Sequence, residues 1–177
     1  PLTGEIVAIG VLDHQKQQGV VYYQAPEAGL QESTEGAITY KPMTEATMLD
    51  AFWKGALQYK TFVSFNGRVF DMPFLALRSA ICGVRPTKDL NRGRYLYQQP
   101  PDALHIDLAD QLSFYGASRK KGTLHLYTHA FGIKSPKADG VTGDDVSKLF
   151  KEKRYLDIAR YNAGDLFATS ALYAKYD

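Results

Sequence analysis

Apolar positions near the N-terminus follow a strand-like pattern. Residues 4–13 are rich in β-branched side chains and end in a polar run, after which residues 20–25, VVYYQA, form a second apolar stretch. We expect the two stretches to pair as an antiparallel hairpin. Residues 26–42 are acidic and without periodicity, which predicts an exposed loop with a short strand at residues 37–40.

Helical spacing begins after this loop. Thr44 can cap a helix whose apolar residues recur every three or four positions, as at Met48, Phe52 and Ala56. Further helices are predicted over residues 71–82, 108–115, 123–131, 144–151 and 155–176, and further strands over residues 61–65 and 104–106. This alternation predicts an α/β layered fold in which residues 1–177 form one domain.

Composition narrows the class of protein. The 177 residues are 45% hydrophobic and 23% charged, as in ordinary soluble proteins. No apolar run approaches the ~20 residues that span a bilayer, and the first residues do not resemble a secretory signal, so we expect a cytoplasmic location and no membrane partner. Cys82 is the only cysteine, which excludes an internal disulfide and a zinc site built from cysteines.

Charge is distributed unevenly along the chain. Residues 1–50 carry two Lys and seven acids, whereas residues 51–177 carry nineteen Lys and Arg and twelve acids. Five cations lie in an acid-free stretch: Arg119, Lys120, Lys121, Lys134 and Lys137. They predict either a face that binds a phosphate backbone or a solvated basic surface.

Three segments contain the residues best suited to chemistry. Asp71 follows the strand at residues 61–65 and the Asn66-Gly67 turn, so its carboxylate is expected either at the rim of the sheet or as a helix N-cap. Tyr161 and Asp165 are one helical turn apart and share a face, as catalytic groups or as a hydrogen-bonded surface pair. Asp107 follows the strand at residues 104–106, where it can cap a helix or approach the same site.

Two of these segments resemble motifs of 3'-5' exonucleases related to the proofreading domain of family B DNA polymerases. Residues 65–75, FNGRVFDMPFL, resemble their second motif, and residues 161–165, YNAGD, are similar to the third motif of the DEDDy subgroup. Residues 105–108 and 140–146 resemble segments that lie between these motifs. The resemblance extends in order over nearly the whole chain.

This resemblance implies a ribonuclease H-like three-layer fold, with a mixed central sheet flanked by helices. It also implies hydrolysis at the 3' end of single-stranded DNA or RNA. In such a site four carboxylates hold two Mg²⁺ or Mn²⁺ ions that stabilise the attacking and leaving oxygens.

The implied roles fall on six residues. Asp71 and Asp165 would be catalytic metal ligands that converge on one cleft, and Tyr161 would orient the attacking water. The remaining three would contact the nucleic acid: Asn66, Arg68 and Phe70. For Phe70, a place in the hydrophobic core is the alternative.

One motif of the family is missing from the sequence. Its first strand carries an Asp-x-Glu pair of metal ligands, and this chain contains no Asp-x-Glu. Residues 4–13 correspond to the second strand, so we expect the first strand and its acids to lie upstream of Pro1. The alternative is a family member with an incomplete metal site that only binds nucleic acid or docks a partner.

Overall fold

Six α-helices and two β-sheets form the part of the chain that the computed structural model describes, residues 2–118, 122–133 and 145–176. The strands are β1 (Ala8–Asp13), β2 (Gln18–Tyr23), β3 (Ser33–Glu35), β4 (Ile38–Pro42), β5 (Thr61–Ser64) and β6 (Leu104–Asp107). The helices are α1 (Glu45–Ala56), α2 (Asp71–Ile81), α3 (Leu108–Leu112), α4 (Leu124–Ala130), α5 (Val146–Lys151) and α6 (Tyr155–Tyr176). Short 3₁₀ turns cover Leu96–Gln98 and Phe114–Gly116.

The larger sheet is mixed. Its strand order is β1-β2-β4-β3, with β1 antiparallel to β2, as the predicted hairpin requires, and β2 parallel to β4. In the smaller sheet β5 pairs in parallel with β6, so that Ser64 lies opposite Asp107. The carboxyl ends of these two parallel strands therefore meet at one edge.

Helices cover both faces of the larger sheet. Side chains alternate along each strand, so both faces carry apolar residues that the helices bury. On one face Ile9 packs with α1, whose Met48 and Leu49 are fully buried. On the other face Val21 packs with Ala159 of α6. A Cβ on Gly10 would collide with the side chain of Asn162, so the glycine allows α6 to approach β1 closely. The α/β class and the layered, mixed-sheet arrangement predicted from the sequence are confirmed.

Some predicted boundaries differ from the observed ones. The strand predicted over residues 4–13 begins only at Ala8, because the Ile6 N–H donates to Glu45 Oε1 at 2.7 Å instead of to a neighbouring strand. The helix predicted over residues 108–115 ends at Leu112, since Phe114 and Tyr115 have φ angles of 51° and 54°. Such angles are incompatible with a right-handed helix.

Part of the predicted chemistry lies outside the described residues. This applies to the five cations of the predicted basic face, Arg119, Lys120, Lys121, Lys134 and Lys137, and to residues 140–144 of the segment 140–146. The basic face therefore stays a prediction. Among the helices in the described part of the chain, none combines the length and apolar character needed to cross a membrane.

A buried ion pair joins α1 to α2. Glu45 accepts hydrogen bonds from Arg78 Nε at 2.8 Å and Arg78 Nη2 at 2.6 Å, in addition to the bond from Ile6. Both side chains are about nine-tenths buried. Burial opposes ionisation of Glu45, but the bonds from Arg78 and Ile6 outweigh it, so the pKa of Glu45 is lowered. The pair holds the N-terminal segment and both helices together.

We expect Arg78→Met to lower the melting temperature by roughly 5 to 10 °C, because it leaves the Glu45 carboxylate buried without its counter-ion. Lys54→Met is the matched control. Lys54 also lies 2.6 Å from its partner Asp50, but that pair is exposed on the surface of α1. Circular dichroism melts of both variants measure the difference, and equal melting temperatures would show that the buried pair is unimportant.

Candidate carboxylate site

A tight turn links β5 to α2. Asn66 adopts a left-handed conformation, with φ of 62°, which asparagine tolerates better than most residues. A Cβ on Gly67 would collide with the Ser64 side chain and would lie 3.0 Å from Asp71 Oδ2. Glycine at this position therefore allows the Asp71 carboxylate to lie directly against the turn.

Asp107 holds this turn from the end of β6. Its Oδ1 accepts from the Asn66 N–H at 2.7 Å and the Ala109 N–H at 3.0 Å, and its Oδ2 accepts from the Arg68 N–H at 3.0 Å. The residue is 2% exposed. The bond to Ala109 confirms the predicted N-cap of α3, whereas the two bonds to the turn were not predicted. Hydrogen bonds to a carboxylate are stronger than neutral ones, so Asp107 fixes the turn.

Asp71 is the first residue of α2 and not its N-cap. Phe70 occupies the N-cap position, without a side-chain capping bond, so the N-cap interpretation of Asp71 is wrong. Desolvation of the carboxyl raises the pKa of Asp71 to about 6, and the negative charges of Asp107 and Asp165 add to this effect. Asp165 is therefore close enough to act on Asp71, although the two are far apart in the sequence.

Helix α6 carries the other two predicted residues. Tyr161 and Asp165 are one turn apart and both are half-buried. The charge of Asp165 acts on Asp71, so the two carboxyl groups lie within electrostatic range of each other. Between Tyr161 and Asp165 in sequence, Asn162 Oδ1 is buried without a hydrogen-bond partner in the described part of the chain. The folded chain thus brings Asp71 and Asp165, which are far apart in the sequence, into one region.

One known protein family matches almost the whole chain. Residues 4–177 match the model of a family described as predicted 3'-5' exonucleases related to the exonuclease domain of PolB. The chain belongs to this exonuclease family. No significant match exists among the curated proteins. The mixed sheet and six described helices agree with the ribonuclease H-like fold of such domains.

Two carboxylates of the described chain are candidate ligands for a metal ion. Asp71 and Asp165 supply two carboxylates, which suit Mg²⁺ or Mn²⁺, since these ions bind oxygen ligands and retain several waters. Asp107 lies nearby, but three backbone N–H groups already engage its two oxygens. Within residues 2–118, 122–133 and 145–176 there is no group of three His, Cys, Asp or Glu positioned to hold a metal. Asp71 and Asp165 are therefore the candidate ligands that the described residues offer, and a complete metal site would need further ligands.

The predicted nucleotide contacts occupy different environments. Phe70 is 62% exposed and touches Phe74, with the ring centroids 5.7 Å apart, so its predicted alternative place in the core is wrong. The Arg68 side chain is buried, donates to the Asn91 carbonyl at 3.2 Å and lies 3.9 Å from Asp110. Asn66 is half-buried at the turn. The substrate roles of these residues stay predictions, and only Phe70 offers a freely exposed surface.

Sequence reasoning missed His105 and Asp110 near this site. His105 is 1% exposed, with Nε2 2.7 Å from Ser64 Oγ and Nδ1 2.9 Å from the Leu90 carbonyl. The second contact places the proton on Nδ1, and burial lowers the pKa of His105. The sequence contained one signal for His105. It lies two residues before Asp107 in a predicted strand, and residues i and i+2 of a strand point to the same face.

Replacing Asp165 with Asn should lower the pKa of Asp71 from about 6, because the substitution removes a nearby negative charge that disfavours ionisation. Carbon-13 NMR titration of the Asp71 carboxyl in metal-free protein measures this change. The matched control is Asp157→Asn in the same helix, which removes an equal charge that does not act on Asp71. An unchanged pKa in Asp165→Asn would contradict the proximity of the two acids.

Asp107→Asn should free the Arg68 amide, because an amide NH₂ replaces one of the two accepting oxygens. We expect hydrogen exchange of the Arg68 N–H to accelerate roughly tenfold or more. Asp13→Asn provides the control, since Asp13 binds the Gln15 and Lys16 amides in the distant β1–β2 turn. Exchange at Arg68 that is equally slow in both variants would show that Asp107 does not hold the turn.

Proposed function

We propose that this chain is a metal-dependent 3'-5' exonuclease domain that hydrolyses phosphodiester bonds at the 3' end of single-stranded nucleic acid. The observation that supports this most strongly is the pair Asp71 and Asp165. They are the acids of the two segments that resemble family motifs, and the charge of Asp165 acts on Asp71. Two carboxylates that raise each other's cost of ionisation attract a cation, which relieves the repulsion.

Each residue of the proposed site would have a distinct role in hydrolysis. Asp71 and Asp165 would hold Mg²⁺ or Mn²⁺, which would supply Lewis acidity for a phosphoryl oxygen and for water. The Tyr161 hydroxyl, one turn from Asp165, orients the attacking water. Phe70 packs its exposed ring against the terminal base, and Asn66 hydrogen-bonds the last nucleotide from the turn.

A second metal ion needs acids that the described residues do not supply. β1 is an end strand of the larger sheet, and β5 pairs only with β6 within the described chain, yet α6 contacts both β1 and β5. We therefore infer that a further strand between β1 and β5 carries the Asp-x-Glu acids. Its backbone would pair with both open strand edges, beside the face of α6 that bears Asp165.

The incomplete ligand set also supports a second candidate function. Without the Asp-x-Glu acids, the chain would bind single-stranded nucleic acid or dock a partner without hydrolysis. The absence of a third ligand among the described residues favours this alternative for the 177-residue chain alone. The two functions differ in whether bound strands are shortened.

Single-stranded DNA and RNA oligonucleotides labelled at the 5' end separate these functions. With Mn²⁺, we expect stepwise shortening from the 3' end, measured by gel electrophoresis for the chain alone and with any residues encoded before Pro1. Asp71→Asn and Asp165→Asn should slow it by roughly 10²- to 10⁴-fold, since each removes a ligand of the stabilising cation. Tyr161→Phe should lower the rate constant more than the affinity.

Asp157→Asn is the control for general damage to α6, and it should retain the wild-type rate. Binding without shortening in both forms of the protein would contradict the exonuclease proposal and support the binding function. Shortening that persists in Asp71→Asn and Asp165→Asn would contradict the assigned site.

A further inference from the structure

Three tyrosine rings form an exposed cluster beyond the carboxylate site. We call Tyr95, Tyr97 and Tyr115 the aromatic platform. The rings of Tyr95 and Tyr97 are stacked, with centroids 5.8 Å apart and planes 7° apart, and Tyr95 contacts Tyr115 at 4.7 Å. Tyr97 is 84% exposed, so the outer face of this stack is open to water. Such an exposed set of aromatic rings is typical of a binding surface.

The backbone around the aromatic platform is restricted in two places. Gly93 has φ of 69°, and a Cβ there would lie 2.7 Å from the Gln98 side chain, so a larger residue would displace the loop. Phe114 and Tyr115 are both in the left-handed region, which is costly for bulky side chains. The Tyr115 hydroxyl also accepts from Gln111 Nε2 at 2.7 Å. The Tyr115 ring and the loop that carries Tyr95 and Tyr97 are therefore restricted before any ligand binds.

Positively charged arginine side chains lie beside the rings. The Arg94 guanidinium lies 5.9 Å from the centre of the Tyr115 ring and donates to the Tyr115 carbonyl at 3.0 Å. Arg92, two residues earlier, is exposed and forms no ion pair with any described residue. Aromatic rings that stack on bases, together with cations that pair with phosphates, are the combination by which proteins bind single strands.

An ion-pair chain connects the aromatic platform to the carboxylate site. Asp110, whose side chain is 7% exposed, accepts from Arg94 Nη2 at 3.0 Å and lies 3.9 Å from Arg68 Nε. Arg68 belongs to the turn that Asp107 holds and that precedes Asp71. The loops that carry the rings are thus joined to this turn through a buried carboxylate, which places the aromatic platform in the neighbourhood of Asp71.

We propose that the aromatic platform binds the bases of single-stranded nucleic acid by stacking, on the strand whose 3' end lies at Asp71 and Asp165. This inference rests on the proposed function for the position of the 3' end. A single strand fits better than a duplex, whose bases are already stacked on each other. It also fits better than a protein partner, because the two arginines beside the rings, Arg92 and Arg94, supply the positive charge that a phosphate backbone requires.

Equilibrium binding in EDTA tests the aromatic platform without hydrolysis. Fluorescence anisotropy would compare wild type, Tyr97→Ala and Tyr97→Phe, with a 12-nucleotide oligo-dT, an oligo-U and an abasic strand of equal length. We expect Tyr97→Ala to weaken binding of oligo-dT or oligo-U about 5- to 100-fold, because one base loses its stacking partner. Tyr97→Phe, which keeps the ring, should bind within twofold of wild type.

The abasic strand supplies the decisive comparison. It should bind wild type more weakly than the other strands do, and Tyr97→Ala should leave its affinity unchanged. Equal affinity of wild type and Tyr97→Ala for oligo-dT and oligo-U would overturn the proposal, as would wild-type binding that does not depend on bases. Because Tyr97 is 84% exposed, its replacement should not disturb folding, and a circular dichroism melt checks this.

The binding result and the exonuclease result are independent. Unchanged binding by Tyr97→Ala, together with shortening in Mn²⁺, would reject the aromatic platform and retain the exonuclease function. Base binding that depends on Tyr97 without any shortening would support the aromatic platform and reject the exonuclease function.

Discussion

Parallel pairing of β5 with β6 is the constraint on which the candidate site depends. It places the end of β5 beside Asp107, and the Asp107 carboxylate then accepts the backbone N–H groups of Asn66 and Arg68. This fixes the turn before α2 and therefore the position of Asp71. The same turn carries Arg68, through which Asp110 and Arg94 link the aromatic platform to the site. One strand pairing thus organises both surfaces.

Ionisation of Asp71 lowers the stability of the fold. Asp71 has a folded-state pKa of about 6, above the ordinary value of 3.8, so the folded chain binds this proton more tightly than the unfolded chain does. The stability contributed by the protonated form is present at low pH and is lost as pH rises from about 3.8 to about 6. The nearby Asp107 carboxylate is buried without this cost, because three backbone N–H groups stabilise its charge. Among the described residues, no comparable set of donors stabilises the charge of Asp71.

Local patterns predicted the features that short stretches of chain determine. Thr44 caps α1 and accepts the Thr47 N–H, and α6 has the predicted bounds Tyr155–Tyr176. The hairpin of β1 and β2 was also predictable, because both strands are apolar and close in sequence. The motif resemblance, rather than periodicity, indicated that Asp71 and Asp165 belong to one site.

Contacts between distant segments could not be predicted in this way. The bonds from Asp107 to the Asn66 turn depend on which strands pair, and a capping aspartate has the same local pattern with or without them. Glu45 lies in the first turn of α1, where the helix dipole alone can explain an acid, so its buried pair with Arg78 was not evident from the sequence. The aromatic platform depends on left-handed angles at Phe114 and Tyr115, whose side chains do not favour them. Its rings come from two segments outside the observed α-helices, whose conformation helical periodicity does not predict.

The open strand edges and the incomplete ligand set are two aspects of one structural problem. Within the described chain β1 and β5 each lack a partner on one side, although α6 packs against both. Unpaired strand edges are costly in water and prone to association. Asn162 Oδ1, buried beside Gly10 of β1, likewise lacks a donor there. A strand between β1 and β5 would pair both edges, and acids on its face towards α6 would lie near Asp165. Such a strand would satisfy the open edges and the proposed metal site together.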